Sequence, residues 1–378
     1  NDVSCFGGAI SLWTPAGDLI LSDNLISGNF QESSLNLIAP GVHIWEPSGS
    51  VTFTNNVLYK NTVAKDHYTF GGGAFIVDVK ENELIIDGNK FLENQARAGG
   101  GIQIRWCYNV SVTNNLFSGN DAYRGGGMTI RQDQPTSDYK FEIVNNTFYQ
   151  NTADDWGGAI RMFDNEGGNV VTFNNIFWEN FAQNDGSTIS NSSDDTIFIH
   201  RSNINPDDIQ GYWSGDDNIN EDPLFAPGDS LCHLSDTSNC VNAGTEEITI
   251  GSQTYYCPDH DIDGEWRPMN GTADIGADEY AFTGIPDNPA LDRPFMLSVN
   301  PNPSSGVTHL RYAICDMRYG ICEVYSSDGA MVKSHSMGNQ VAGEYSMDLD
   351  LSDLPNGIYF IRLQAGEMVE TAKILLQK

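Results

Sequence analysis

The fold is decided by the stretch GGGIQIRWCYNVSVTNNLFSGN at residues 99–120. Three glycines come first, the alternating segment Ile102-Gln103-Ile104 follows, and an apolar residue stands between Asn115 and Asn120. Alternation predicts a β-strand with one buried face, because successive side chains of a strand point to opposite faces. Glycine and asparagine are typical of tight bends. The stretch therefore predicts short strands joined by sharp bends.

The same phrase recurs along the first half of the chain at intervals of 26 to 33 residues. We align the copies on the first apolar residue after the small pair. This alignment gives Ile10, Val42, Phe75, Ile102, Met128 and Ile160, with a weaker seventh copy at Ile189. A repeat of this length without a helical pattern predicts a solenoid. Each turn then adds one strand to each parallel sheet, a rise of roughly 4.8 Å.

The second half of the phrase predicts the interior and the bends. Its apolar residues form an inward stack of Ile26, Leu58, Phe91, Phe117, Phe148 and Phe177. The flanking asparagines should form ladders at the bends, because an amide side chain can satisfy backbone groups of the next turn. These phrases resemble those of right-handed parallel β-helix repeat proteins and, less specifically, those of polymorphic outer-membrane autotransporter proteins. The resemblance implies an all-β fold with a β-helix at 1–200. Because Cys5-Phe6-Gly7-Gly8 already lies inside a repeat, we expect earlier turns to be missing.

After residue 200 the repeat gives way to an ordered set of short phrases. They are Asp222-Pro223-Leu224-Phe225, Val241-Asn242-Ala243-Gly244, Asp259 to Gly264 and Asp274 to Tyr280. The set resembles the C-terminal cap of secreted bacterial β-helix proteins, which implies a cap at 201–281 that closes the open end. Three prolines within 282–294 predict a linker.

From Phe295 the pattern changes to short strands separated by turn signals such as Asp328-Gly329, which predicts a small β-sandwich at 295–378. Three phrases resemble the type A sorting domain of the type IX secretion system: Asn300-Pro301-Asn302-Pro303, Leu354 to Tyr359 and Lys373-Ile374-Leu375-Leu376. The resemblance implies that residues 295–378 engage the secretion machinery of a Bacteroidetes-type bacterium. It also implies a secreted or cell-surface location.

Composition restricts the partners. A net charge of −32 argues against nucleic acid, since phosphate binding requires a basic surface, and it can attract Ca²⁺. No apolar run is long enough to span a bilayer. Seven cysteines are compatible with one or two disulfides, such as Cys315 with Cys322, and equally with buried free thiols.

Outward residues of the repeated strand predict two ladders on one face. The first is Ser11, His43, Ile76, Gln103, Thr129 and Arg161, and the second is Trp13, Trp45, Asp78, Arg105, Arg131 and Phe163. Aromatic rings stack on sugar rings, and arginine binds carboxylates as a bidentate fork. The ligand-binding candidates for an extended polysaccharide are Trp13, His43, Trp45, Gln103 and Arg161. The alternative is a solvated polar face without a ligand.

Catalysis on this face has fewer candidates. A polysaccharide lyase needs a base and a means of neutralising the uronate, often Ca²⁺, for which Arg105 or Arg131 and the metal ligand Asp78 are the candidates. A glycoside hydrolase needs two carboxylates, and Asp78 is the only acid on the ladders. The loop acids Asp154, Asp155 and Asp164 are the remaining candidates. We therefore favour a non-catalytic glycan-binding or adhesive module over an enzyme, with a structural spacer as the third hypothesis.

A separate calcium signal lies in the cap segment. Asp259, Asp261, Asp263 and Gly264 have the spacing that opens a Ca²⁺ loop, in which glycine permits the sharp turn. The twelfth position is Asn270 rather than glutamate. A turn held by aspartate side chains is the alternative interpretation.

Overall fold

The computed structural model describes residues 8–31, 39–65, 70–80, 82–132, 140–163, 169–184, 186–269, 271–280, 297–300, 304–314, 318–326, 329–340, 343–365 and 368–377. The chain forms two compact units, Asn1–Phe282 and Thr283–Lys378. Within the described ranges, no helix is long and apolar enough to cross a membrane.

The first unit is a parallel β-solenoid whose turns supply strands to four sheets, named A to D in chain order. Sheet A contains Ile10–Trp13, Val42–Trp45, Ala74–Val77, Ile102–Arg105, Met128–Arg131, Ile160–Phe163, Ile189–Asn191 and Ile209–Gln210. Sheet B contains Leu19–Ser22, Val51–Thr54, Glu83–Asp87, Asn109–Thr113, Lys140–Val144, Asn169–Phe173, Ile197–His200 and Trp213–Ser214. Sheet C contains Leu25–Ser27, Val57–Tyr59, Lys90–Leu92, Leu116–Ser118, Thr147–Tyr149 and Ile176–Trp178. Sheet D contains Phe30–Gln31, Thr62–Val63, Gln95–Ala98, Asp121–Arg124, Thr152–Ala153 and Phe181–Ala182.

Asparagine ladders hold the bends on either side of sheet C. The backbone N–H and the Nδ2 of Asn89 both donate to Oδ1 of Asn115, at 2.9 Å each, and Nδ2 also donates to the Phe53 carbonyl at 2.7 Å. The left-handed backbone belongs to the preceding position, for example Asn114 with φ 54°. The ladders between sheets B and C and between C and D are Asn24, Asn56, Asn89, Asn115, Asn146 and Asn175, and Asn29, Asn61, Asn94, Asn120, Asn151 and Asn180. The predicted ladders are confirmed.

The inward stack is also confirmed. Phe91, Phe117, Phe148 and Phe177 lie in register on sheet C, with ring centroids 4.7, 4.6 and 5.0 Å apart. Their planes are nearly parallel, which follows from the strand spacing of about 4.8 Å. These rings fill the solenoid and fix the vertical alignment of the turns.

The third turn of sheet A corrects the sequence alignment by one residue. Ala74, not Phe75, pairs with Val42 and Ile102 and faces the interior. The sequence alignment groups Ala74 with the preceding glycines because alanine is also small. In the structure the N–H of Gly73 donates to carbonyls of the next turn, and the strand begins at Ala74. Phe75 and Val77 therefore face outward, and the prediction that placed Phe75 in the inner row is wrong.

The segment after His200 both lengthens and covers the solenoid. Ile209–Gln210 and Trp213–Ser214 add strands to sheets A and B, after the 3-10 helix Pro206–Asp208. The later part packs on the outer faces of sheets B and C, where it includes the hairpin strands Glu247–Ile250 and Gln253–Tyr256. Its apolar clusters on these two faces are Leu116, Cys232, Ile262 and Ala277; Val144, Val171, Phe173 and Tyr255; and Ile176, Leu234, Cys240 and Ile275. Much of this segment thus supports the side of the solenoid.

The second unit consists of two antiparallel sheets. One contains Leu297–Asn300, Val307–Ile314 and Gly343–Asp350; the other contains Arg318–Ser326, Met331–Gln340, Gly357–Ala365 and Met368–Leu376. The core includes Leu310, Val324, Ile361, Leu363 and Ile374. Pro301, Asn302 and Asp328, named above as sorting-domain or turn signals, lie outside the described residues.

The five cysteines within the described residues are free thiols. They are Cys107, Cys232, Cys240, Cys257 and Cys322. Burial raises the pKa of Cys107 and of Cys232 to about 12, so both stay protonated at neutral pH. Cys5 and Cys315 lie outside the described part of the chain.

The ladder can be tested by removing one buried amide. In Asn115→Ala, the N–H and Nδ2 of Asn89 lose their acceptor, and we expect the free energy of unfolding to fall by about 2–4 kcal/mol in urea denaturation. Asn29→Ala, in the first described turn, is the matched control and should cost about 1 kcal/mol or less, because its amide donates to Asn61 at 2.7 Å while no described group donates to it. Equal losses for both variants would contradict the ladder's role.

Candidate binding face on sheet A

The outward side of sheet A carries two rows of aligned side chains. The first, called the corner row because it adjoins the bend from sheet D, is Ser11, His43, Phe75, Gln103, Thr129, Arg161 and Ser190. The second, called the outer row, is Trp13, Trp45, Val77, Arg105, Arg131 and Phe163. Parallel pairing places successive members about 4.8 Å apart. The structure therefore brings together every predicted binding residue of this face, together with Arg105 and Arg131.

Asp78 does not belong to either row. It follows the strand, in left-handed backbone with φ 69°, and its carboxylate lies 2.7 Å from Nζ of Lys80. The prediction that Asp78 stands on the outer row is wrong because the register of the third turn is shifted by one residue, and Val77 takes that place. The two rows consequently contain no carboxylate.

The outer row combines aromatic rings and guanidinium groups. Trp13 and Trp45 stack with ring centroids 5.4 Å apart, and Trp13 is 47 % exposed. The Arg105 guanidinium lies 3.9 Å from the centre of the Trp106 ring, and that of Arg131 lies 5.0 Å from the Phe163 ring. Apart from Trp13 and Val77, the row is half-buried. It offers flat apolar surfaces beside cationic groups.

Further cationic side chains stand at the bend between sheets D and A. Gly125 makes this bend in left-handed backbone with φ 64°, and a Cβ there would lie 2.3 Å from Thr129 Oγ1. Arg124, at the end of a sheet D strand, lies 5.0 Å from the Trp156 ring, and Arg161 lies 5.1 Å from the same ring. Sequence reasoning missed Arg124 and Trp156 because neither lies on the repeated strand. The sequence feature that could have identified these two residues is the glycine bend, which recurs on each turn beside them.

The loop acids near this bend are used in ion pairs. Asp155 Oδ2 accepts a hydrogen bond from Arg124 Nε at 2.9 Å, and Lys65 Nζ lies 2.9 Å from Asp154 Oδ1. Arg161 in turn donates to the hydroxyls of Ser190 and Ser192, the latter at 2.9 Å, which holds this buried guanidinium in place. Asp164 lies outside the described residues. The acids suggested for catalysis thus include two that are already paired with cations.

Several members of the corner row are buried, in contrast to the solvated ladder expected from the alternation. His43, Phe75, Gln103 and Thr129 have no exposed surface. Phe75 packs with Ala39 and Val77, and Trp45, Phe70 and Trp106 lie against this cluster. Burial lowers the pKa of His43 to about 4, so its imidazole is neutral at physiological pH. The row lies beneath neighbouring side chains.

Two buried polar side chains of this row are not satisfied. Within the described part of the chain, neither Nε2 nor Oε1 of Gln103 has a hydrogen-bond partner, and the same holds for Nε2 of His43. Thr129 on the next turn is satisfied, because its hydroxyl donates to the Arg124 carbonyl at 3.2 Å. Most buried polar groups in folded proteins have partners, so these exceptions need an explanation.

The predicted calcium loop is organised by hydrogen bonds to one aspartate. Asp261 Oδ1 accepts from the N–H groups of Asp263 and Glu265 at 2.9 and 2.8 Å, and its Oδ2 accepts from Glu279 N–H at 3.0 Å. Asp259 is exposed and pairs with His260. Asp259, Asp261 and Asp263, the three predicted metal ligands, therefore each bond to a different partner. The bonds to Asp261 are those of a turn held by an aspartate side chain, which was the alternative interpretation. Asn270 lies outside the described residues.

Comparison with protein families agrees with this architecture. Residues 47–204 match the model of the right-handed beta helix region, and residues 298–377 match the secretion system C-terminal sorting domain. The chain carries a right-handed β-helix region and a C-terminal sorting domain of the type IX secretion system. The sorting domain directs the β-helix protein to the cell surface or outside the cell, by way of the secretion machinery. A search of curated proteins found no match.

A histidine in the cap segment of the β-helix protein joins three carboxylates that sequence reasoning did not connect. His233 Nδ1 lies 2.7 Å from Asp229, and Nε2 lies 2.7 Å from Asp263. Ligand atoms of His233, Asp263 and Asp278 lie within 4.8 Å of one another, as do those of Asp261, Glu265 and Asp278. The hydrogen bond to Asp263 raises the pKa of His233 to about 9, so its imidazole is protonated at neutral pH.

A cleft of about 610 Å³ lies between the cap segment and the bends of the first described turns. Its lining includes Asp23, Asp87, Lys90, His260 and Asp263. Burial raises the pKa of Asp87, whose Oδ1 accepts from Thr113 Oγ1 at 2.6 Å. Acidic groups outnumber Lys90 here, so this cleft does not suit an anionic ligand.

The His233 cluster makes stability depend on pH. The folded pKa of about 9 exceeds the ordinary histidine pKa of 6.5. The contribution of His233 to stability is therefore complete below about pH 6.5 and is lost as the pH rises through 9. Burial raises the pKa of Asp278 to about 7, which adds a loss of stability as the pH rises through 7.

Urea denaturation between pH 6 and 10 should therefore show stability falling in wild type. In His233→Gln we expect lower stability at pH 6 and a shallower decline above pH 7. His260→Gln is the control, because that imidazole pairs with the exposed Asp259. An unchanged decline in His233→Gln would contradict the assignment.

Proposed function

We propose that sheet A of the exported β-helix protein binds an acidic polysaccharide without cleaving it. The observation that carries this proposal is the outer row. Trp13 and Trp45 stack on its first two turns, Val77 follows on the third, and Arg105 and Arg131 stand on the next two. A sugar chain is a repeating ligand of flat rings, and the solenoid offers a repeating surface along one line. Aromatic faces and arginine forks are the groups that suit a ring that carries a carboxylate.

The distribution of arginine supports an anionic ligand. Arg97, Arg105, Arg124, Arg131 and Arg161 are five of the seven arginines between residues 1 and 282, in a chain with a net charge of −32. All five stand on sheets A and D around the glycine bend. The rest of the surface repels an acidic polymer, so this cationic zone would orient it.

Binding is favoured over catalysis by the chemistry of the rows. Hydrolysis requires a pair of carboxylates, whereas the corner and outer rows have none. Lyase chemistry requires a base, and Arg105 or Arg131 would have to lose a proton that guanidinium groups retain in proteins. Arg131 is also engaged with the Phe163 ring. These groups therefore suit charge neutralisation and positioning.

The charge requirement is tested with Arg131→Gln. We expect calorimetric affinity for polygalacturonate to fall by about 10- to 100-fold, because a charge-assisted hydrogen bond is worth about 1.5–3 kcal/mol. Affinity of wild type should also fall with added salt. The control Lys60→Gln removes the same charge from an exposed residue that pairs with Glu93, and should bind normally. Equal effects of both substitutions would indicate non-specific attraction.

The aromatic requirement is tested with Trp13→Ala. We expect a loss of affinity of about 5- to 30-fold for the same polymer, since a ring that is half exposed can stack on a sugar without moving its neighbours. Tyr256→Ala is the control, because Tyr256 is 65 % exposed on the cap hairpin. Wild-type product that absorbs as an unsaturated uronide would establish a lyase and overturn the proposal. Absence of binding to acidic and neutral polysaccharides would favour a structural spacer.

A further inference from the structure

Gln103 is a buried side chain of sheet A whose amide has no partner among the described residues. It has no exposed surface, and it faces outward between Phe75 on one turn and Thr129 on the next. Neither end of its amide has a hydrogen-bond partner within the described ranges. Burying an amide without a hydrogen-bond partner costs free energy, so a group that bonds to it would be favoured.

The two asparagine ladders of the same solenoid satisfy their buried amides with several bonds each. Asn89, for example, donates to Asn115 and Phe53 and accepts from Asn56. The equivalent position on the preceding turn is Phe75, which shows that this row accepts an apolar side chain. The fold therefore does not require glutamine at position 103. Because its buried amide has no partner among the described residues, we look for that partner in a ligand.

We propose that Gln103 is a specificity-determining residue that binds a free hydroxyl of the sugar unit whose carboxylate is held by Arg105 and Arg131. This inference rests on the proposed function of sheet A. Arg105 stands two residues further along the same strand and face, and Arg131 stands opposite Arg105 on the next turn. The Gln103 amide offers one donor atom, Nε2 with its two N–H groups, and one acceptor atom, Oε1. A hydroxyl both accepts and donates, so one hydroxyl can satisfy both ends.

The ligand class follows from this pairing. A free hydroxyl next to a uronate carboxylate satisfies the amide, whereas an O-acetyl ester cannot donate a hydrogen bond and is bulkier. Sites built to hydrogen-bond a hydroxyl discriminate strongly against analogues that lack it, because the buried amide then stays unpaired. Since Gln103 is covered in the unliganded chain, the surrounding side chains move when the hydroxyl enters.

The experiment uses the full chain, with Gln103→Met as the variant. Methionine keeps the length and removes both polar atoms, so we expect the urea midpoint of unfolding to stay equal or rise. Affinity for polygalacturonate should fall at least tenfold. Wild type should prefer polygalacturonate to its O-acetylated form, and the variant should lose that preference. Thr113→Val on sheet B is the control away from the proposed binding face. Its hydroxyl donates to Asp87 Oδ1 at 2.6 Å, so the midpoint should fall while the preference remains.

Each outcome decides between the alternatives. A lower midpoint in Gln103→Met would show that the amide is satisfied within the scaffold, for example by ordered water, and would overturn the inference. So would normal affinity and preference in that variant. If wild type binds no acidic polysaccharide, the proposed function of the whole face fails. If wild type binds the polymer and Gln103→Met binds it with the same affinity and preference, the assignment of Gln103 fails while the proposed function of the face stands.

Discussion

The solenoid depends on hydrogen bonds between asparagine side chains at the bends beside sheet C. At the bends between parallel strands, the backbone leaves the regular hydrogen-bond pattern of the sheet. A buried N–H group that stays unpaired there would lower the free energy of unfolding. The Asn89 and Asn115 amides supply those partners and also bond to each other. Since every turn uses the same bond at the same place, the ladders fix the register of sheets B, C and D. Sheet A begins directly after the glycine bends, so its register is set by the same ladders.

The register of the turns determines how the side chains on the outward face of sheet A line up with one another. The stacked rings at Phe91, Phe117 and Phe148 keep the turns at the spacing of a parallel sheet, and the side chains on the outside inherit that spacing. Trp13 and Trp45 stack for the same reason. The cap segment covers the outer faces of sheets B and C through clusters such as that of Leu116 and Ile262. The cap and the proposed binding face therefore lie on different sides of one coil, around a shared interior.

Much of this could be predicted from the sequence because identical residues repeat at identical places. Phe117 and Asn115 each have counterparts on neighbouring turns, so the stack and the ladder could be inferred without coordinates. The register at Ala74 could not, because three glycines precede it and alanine resembles both a bend residue and a core residue. The burial of Gln103 could not either, since the alternation shows only which way a side chain points. The contact of His233 with Asp263 joins irregular segments 30 residues apart, which no periodicity reveals.

The later part of the cap segment packs on sheets B and C rather than on the outward rows of sheet A, and this has a consequence for how such proteins can diversify. Because these apolar clusters use solenoid residues such as Leu116, Val144 and Ile176, a turn inserted or lost ahead of them leaves their contacts intact. Each inserted turn would lengthen the outward rows by one strand spacing. If sheet A binds a polysaccharide as proposed, the number of turns would set the length of polymer that is bound, and the residue at each position of the row would set the sugar that is recognised there.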